Sequence, residues 1–135
     1  MLVSTKGRYA LRVMLDLTEH QGEGYLPLAA IAERQDISEK YLESILAVLS
    51  KAGLLLALRG KHGGYQLARE PEEYTIYDIL SLTEGTLAPV ACLNKDEECP
   101  RACDCLTLPM WQGLNKTVTD YLESWTLADL VGGRA

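Results

Sequence analysis

The chain has 135 residues, of which 47% are hydrophobic and 24% charged, and its formal net charge is −6. That length suits one modest domain, or a small domain with an appended element, and the apolar fraction is enough to bury a core. No run approaches the length of a membrane span, and residues 1–20 lack a signal peptide's unbroken apolar stretch, so a cytoplasmic protein with no membrane association is expected. The charge is uneven. Residues 1–69 carry nine Lys/Arg against seven Asp/Glu, a net +2, while residues 70–135 carry four against twelve, a net −8. A basic N-terminal portion joined to an acidic C-terminal one suggests two separate jobs and permits nucleic-acid binding by the first.

"STKGRYALRVMLDLTEH" offers Ser4 or Thr5 as an N-cap and then sets Ala10, Val13, Met14 and Leu17 at helical spacing. Lys6, Arg8 and Arg12 fall toward the other side. "GEGYLPLAAIAERQ" reads as a glycine-rich turn and a second helix with Pro27 near its start. In "DISEKYLESILAVLSKAG", Ser38 is the N-cap, Leu42, Ile45, Leu46 and Leu49 form an apolar stripe, and Gly53 ends the helix. Lys40, Glu43, Ser44, Ala47 and Lys51 share the opposite face. "LLLALRGKHGGYQLA" is two short apolar runs around the tip Arg59–Gly64, which predicts a β-hairpin with a basic, glycine-rich tip.

Two helices joined by a short turn and followed by a hairpin predict a winged helix-turn-helix over residues 1–70. The plain alternative is a small α+β domain that uses the same elements only for packing. "YTIYDILSLTEG" predicts a further helix with Thr75 and Asp78 as a capping pair and Gly85 as its stop. "LTLPMWQGLNKTVTDYLESW" predicts a long helix from Thr107 with Pro109 in its first turn. Trp111, Leu114, Val118, Tyr121, Leu122 and Trp125 line one side of it. A helix so long and one-sided exceeds what this domain can bury alone, so residues 71–135 are expected to hold a dimerisation helix, with an intramolecular strut as the alternative. Thr126 and Asp129 open a last helical turn. The fold class is therefore mainly α with a small β-hairpin: a winged helix-turn-helix plus a long C-terminal dimerisation helix.

On the polar face of the 38–51 helix, Lys40 could hold phosphate and Glu43 could accept from a cytosine amino group. The plain alternative is an ordinary solvated face with Lys40, Glu43 and Lys51 balancing one another. Arg59, Lys61 and His62 with Gly60, Gly63 and Gly64 form the wing, where glycine lets the backbone approach a groove and arginine suits a narrow minor groove. Its bland counterpart is a hairpin turn whose basic residues serve solubility. No catalytic constellation stands out: His20 and His62 are the only histidines, and no phosphate-binding loop is present.

"CLNKDEECPRACDC", residues 92–105, contains all four cysteines: Cys92, Cys99, Cys103 and Cys105. The gaps are six, three and one residues. Structural zinc prefers pairs with two to four residues between, and only Cys99–Cys103 meets that. Iron–sulfur clusters accept looser spacings, and neighbouring thiols in a polar loop can also form a redox disulfide. Spacing leaves all three open.

The chain resembles the IscR-type family of bacterial winged-helix repressors, the iron–sulfur-cluster regulators, along nearly its whole length. The resemblance rests on "STKGRYALRVMLDL", "IAERQDISEKYLESIL", "LSKAGLLLALRGKHGGYQLA", "PVACL", "CLT" followed by a tryptophan, and "TLADLV". It implies a homodimer on double-stranded DNA with a palindromic operator, and a cluster, expected as [2Fe-2S], in a sensor loop at about residues 90–106. Carried over, the metal ligands are Cys92, Cys99 and Cys105, and the DNA-reading residues are Ser38, Lys40, Tyr41, Glu43 and Ser44 with Arg59 in the wing. In the family the glutamate matching Glu43 is associated with discriminating operator classes.

Two departures stand out, one in the fourth cluster ligand (Leu108, with Arg8) and one in the reading helix (Lys40). Leu108 occupies the place of a histidine that follows the last cysteine in well-known members, so the fourth ligand must be Cys103, Asp104, or an exogenous thiol or water. Relatives that borrow a ligand from the partner's first helix do so at a place where this chain has Arg8, which is unsuitable. Lys40 replaces a smaller polar residue found in some members, so base preference does not transfer. The expected role is regulation of iron–sulfur assembly or of sulfur and cysteine metabolism, and not enzymatic. The alternatives are a cluster-free cysteine-metabolism repressor using thiol redox or a partner protein, or a zinc-stabilised interaction module that never touches DNA.

Overall fold

The computed structural model describes residues 3–90, 93 and 106–133. Helix α1 spans Thr5–Glu19, and Ser4 rather than Thr5 caps it, its hydroxyl accepting the Gly7 N–H at 3.2 Å. Ala10, Val13, Met14 and Leu17 are buried as their spacing predicts. Helix α2, Leu28–Gln35, follows Pro27 and ends where Asp36 adopts a left-handed conformation, φ 52° and ψ 51°. That conformation is rare outside glycine and tolerated by Asp and Asn, and it bends the chain into α3, Glu39–Lys51.

The Ser38 hydroxyl caps α3 by accepting the Tyr41 N–H at 3.2 Å. At the other end Gly53, at φ 83°, lets two amides turn back: Gly53 N–H to the Ser50 carbonyl and Leu54 N–H to the Leu49 carbonyl, both at 3.0 Å. This paired closure favours a glycine at that position. Leu42, Ile45, Leu46 and Leu49 are fully buried, so α3 is the pillar of the N-terminal half.

Strands β1, Leu55–Leu58, and β2, Gly64–Leu67, pair antiparallel with Leu55 opposite Leu67 and Leu58 opposite Gly64. Leu26 adds a bridge on the other edge of β2, exchanging two hydrogen bonds of 2.9 Å with Tyr65. After a 3₁₀ turn at Pro71–Glu73 come α4, Ile76–Glu84, α5, Leu108–Glu123, and α6, Leu127–Gly132. The Thr75/Asp78 and Thr126/Asp129 capping boxes both form, and Gly85 ends α4.

One cluster of buried side chains runs from Ala10 to Leu127. It joins residues on both sides of position 70, so the basic and acidic portions differ in surface while sharing a core. Among the described residues no helix is long and apolar enough to cross a membrane.

Candidate nucleic-acid interface

The exposed side of α3 follows from the burial of the other. With Leu42, Ile45, Leu46 and Leu49 inside, the 100° step of the helix turns Lys40, Glu43, Ser44 and Ala47 to solvent. Among the described residues Glu43 forms no ion pair. The Ser44 hydroxyl donates to the Tyr41 carbonyl at 2.7 Å, which leaves its oxygen free to accept. Ser38 is engaged as the cap described above. The Tyr41 ring stands edge-on to Tyr9 of α1, centroids 5.8 Å apart at 74°, so this residue anchors the start of α3 as well as bordering its exposed face.

Arg59, Lys61 and His62 are exposed at the hairpin tip. A shallow open groove has Ala47 and Ser50 of α3 along one wall and Arg59 and Lys61 along the other. Gly63 and Gly64 have a structural reason of their own. A Cβ on Gly63 would collide with the Leu58 carbonyl, and one on Gly64 with the Leu26 carbonyl. Gly63 is therefore required by the hairpin's own closure and Gly64 by the close approach of the Leu26 backbone, independently of how near a groove the backbone comes.

Two contacts that position this surface were missed by sequence reasoning. Arg12 lies over the Tyr9 ring, 5.2 Å from its centroid, and donates to the Gln35 side chain and carbonyl, tying α1 to the end of α2. Asp16, 2% exposed, accepts two hydrogen bonds from Arg34 at 2.8 and 2.7 Å and one from Gln35 at 3.2 Å. Burial alone would raise the Asp16 pKa, but the Arg34 and Gln35 hydrogen bonds, with the Arg34 and His20 charges, outweigh it and lower the pKa. The same carboxylate holds Arg34 firmly protonated. No local pattern announces these pairs, because the partners are 18 to 23 residues apart.

The long helix does not present one uniform stripe. Every residue of α5 is half-buried or exposed, and none is buried. The helix ends at Glu123, so Trp125, expected on its stripe, lies beyond it. Leu122 and Trp125 pack against the core, Trp111 and Val118 are half-buried, and Leu114 and Tyr121 are exposed beside Met110, which the sequence stripe omitted. Cys92, Cys99, Cys103 and Cys105 lie outside the described residues, as do Asp104 and most of the 90–106 segment. Among the described residues no group of three metal-ligating side chains comes together. Leu108 is the first residue of α5.

A helix-turn-helix whose exposed helix faces a basic hairpin across a groove is the architecture of a winged-helix DNA-binding regulator. The family described as "Rrf2: Iron-dependent Transcriptional regulator" matches residues 3–133, and the chain belongs to it. Protein rrf2 of Nitratidesulfovibrio vulgaris is 40% identical over 131 residues, 97% of this chain and 87% of that protein. The structure of CymR, the global cysteine regulator of B. subtilis, matches with a TM-score of 0.79 at 37% identity, covering 100% of this chain and 99% of that one. T. potens IscR matches with a TM-score of 0.76 at 40% identity, covering 100% and 89%. The resemblance to IscR-type regulators and the winged-helix fold class both hold, and the chain is a transcriptional regulator rather than an enzyme.

Proposed function

We propose that the protein is a cytoplasmic homodimer that binds a palindromic operator and answers to an iron–sulfur cluster. The observation that carries the DNA-binding part is the groove between the exposed face of α3 and the Arg59–Lys61 tip. In this reading α3 enters the major groove with Lys40 on phosphate and Glu43 and Ser44 at base edges, while Arg59 enters the neighbouring minor groove. Dimerisation uses the Met110, Leu114 and Tyr121 side of α5, whose three side chains are 57%, 43% and 60% exposed. Trp111 and Val118 flank that contact, and Leu122 contributes from its own protomer's side.

The donor chemistry suits an iron–sulfur group: three thiolates, Cys92, Cys99 and Cys105, would hold it, with Cys103 the nearest candidate for the fourth position. Bound there, the group would supply one-electron redox chemistry and a dependence on iron supply. Leu108 cannot ligate, and that favours the second reading, a cluster-free regulator of cysteine metabolism, in line with the likeness to CymR, the global cysteine regulator of B. subtilis. The genes controlled are then those of iron–sulfur assembly in the first reading and of cysteine metabolism in the second.

An anaerobic absorption spectrum with iron and sulfide counts separates them. Visible thiolate-to-iron absorption with matching iron and sulfide is expected, lost in Cys92→Ser, Cys99→Ser and Cys105→Ser and altered but retained in Cys103→Ser. A colourless anaerobic preparation that still binds DNA supports the cysteine-metabolism reading, and one holding stoichiometric zinc rejects the cluster.

A further inference from the structure

Tyr74 is fully buried between the base of the wing and the start of α4. Its hydroxyl donates to the Leu54 carbonyl at 2.7 Å and accepts from the Ala68 and Arg69 amides at 2.9 and 3.0 Å. Those three backbone groups lie just outside the last β1–β2 pair, Leu55 opposite Leu67. There the direct Ala68 N–H to Leu54 carbonyl bond has stretched to 3.4 Å. The phenol oxygen thus closes the open end of the ladder with its one donor and two acceptor sites all used. Arg69 lies over the same ring, 5.0 Å from its centroid.

The backbone of this residue faces the other way. The Tyr74 carbonyl accepts the Leu127 N–H at 3.1 Å, the Ile76 N–H donates to the Trp125 carbonyl at 2.9 Å, and Thr75 and Thr126 form a bridge. The base of the wing and the α5–α6 junction therefore meet on a single residue, by side chain on one side and main chain on the other. Leu54 is also the residue whose amide closes α3, so the hydroxyl holds the wing at a fixed angle to that helix.

We infer that Tyr74 is a positioning residue: its hydroxyl sets the pose of the wing on DNA, and through its backbone that pose depends on the α5–α6 junction. The inference rests on the reading of Arg59 as a DNA contact. Removing the hydroxyl in Tyr74→Phe keeps the buried ring and leaves the Arg69 amide without this acceptor, so the wing base opens while the fold persists.

The test uses the full-length protein and a duplex enriched by the wild type from a random-sequence pool. Tyr74→Phe should weaken binding roughly three- to tenfold. In the Arg59→Ala background it should add little, because a wing without its contact has no pose to lose. Hydrogen exchange of the Ala68 and Arg69 amides should quicken in Tyr74→Phe. It should also quicken in Thr126→Ala, which removes the α6 cap, and the two should not add. Fully additive losses in DNA affinity, or exchange at Ala68 and Arg69 indifferent to Thr126→Ala, overturn the inference. If Arg59→Ala alone leaves affinity unchanged, the failure lies in the wing reading on which the inference depends. Exchange then shows separately whether Tyr74 links the wing base to the junction.

Discussion

Helix α3 places Leu42, Ile45, Leu46 and Leu49 in the core, whereas α5, with 16 residues against 13 and its own apolar side, buries none. The sequence patterns look alike: both helices carry leucines and aromatic or branched residues at steps of three and four. The difference lies in what the chain puts opposite them. α3 is enclosed by α1, α2, the hairpin and α4, while α5 lies at the margin, with Leu122 touching the core and Leu114 and Tyr121 facing outward. A periodic apolar stripe establishes that a face wants cover. It does not establish whether that cover comes from the same chain or a second copy.

The comparison breaks most readily at Leu46. Leu46→Ala should lower stability by about 2–5 kcal/mol, because the fully buried site closes only partly around the cavity. Urea denaturation measures it, and a loss well under roughly 1 kcal/mol would mean that α3 is no more enclosed than α5.

Next in size is the clamp that holds α2 against α1. Asp16→Asn should cost about 1.5–3 kcal/mol at pH 7, since the charge-assisted bonds to Arg34 are weakened at a buried carboxylate. The sign with pH follows from the lowered pKa. The folded state prefers the ionised carboxyl, so its contribution is complete above the ordinary value of 3.8 and fades as pH falls through the lower native value. Denaturation curves of wild type and Asp16→Asn should therefore lie far apart at neutral pH and converge only below about pH 4. A gap that stays constant down to pH 2 would detach the clamp from the ionised state.

Arg59→Ala sharpens the contrast between surface and core. Specific DNA binding should weaken by about 1–3 kcal/mol at matched salt, with unfolding stability changed by less than about 0.5 kcal/mol. Equal affinity in a mobility-shift titration would remove Arg59 from the interface.

The smallest effect on folding is expected at Leu114, 43% exposed. Leu114→Asp should change the stability of the isolated protomer by no more than about 0.5 kcal/mol. In sedimentation at micromolar concentration, however, the wild type should run as a dimer and the variant as a monomer with poor operator affinity. A dimeric variant, or a monomeric wild type bound fully to one half-site, would return α5 to the role of an intramolecular strut.

What the amino-acid sequence determined by itself is whatever a few neighbouring residues can decide. The Ser38 cap, the Thr75/Asp78 and Thr126/Asp129 capping boxes, the Gly53 and Gly85 stops and the basic hairpin tip all belong here. Each is a bond or a dihedral preference settled within about one helical turn or one hairpin loop. The exposed face of α3 was legible for the same reason, being the complement of a four-residue stripe. Only the tertiary structure decided which distant groups would meet: Asp16 with Arg34, Tyr9 with Tyr41, and the Tyr74 hydroxyl with the base of the wing. It also ended α5 before Trp125 and divided the rest of the stripe, with Leu122 turned inward and Leu114 and Tyr121 outward beside Met110. These outcomes depend on how helices are rotated and placed in a shared core. Many compositions of residues satisfy that packing equally well, so no single position announces it.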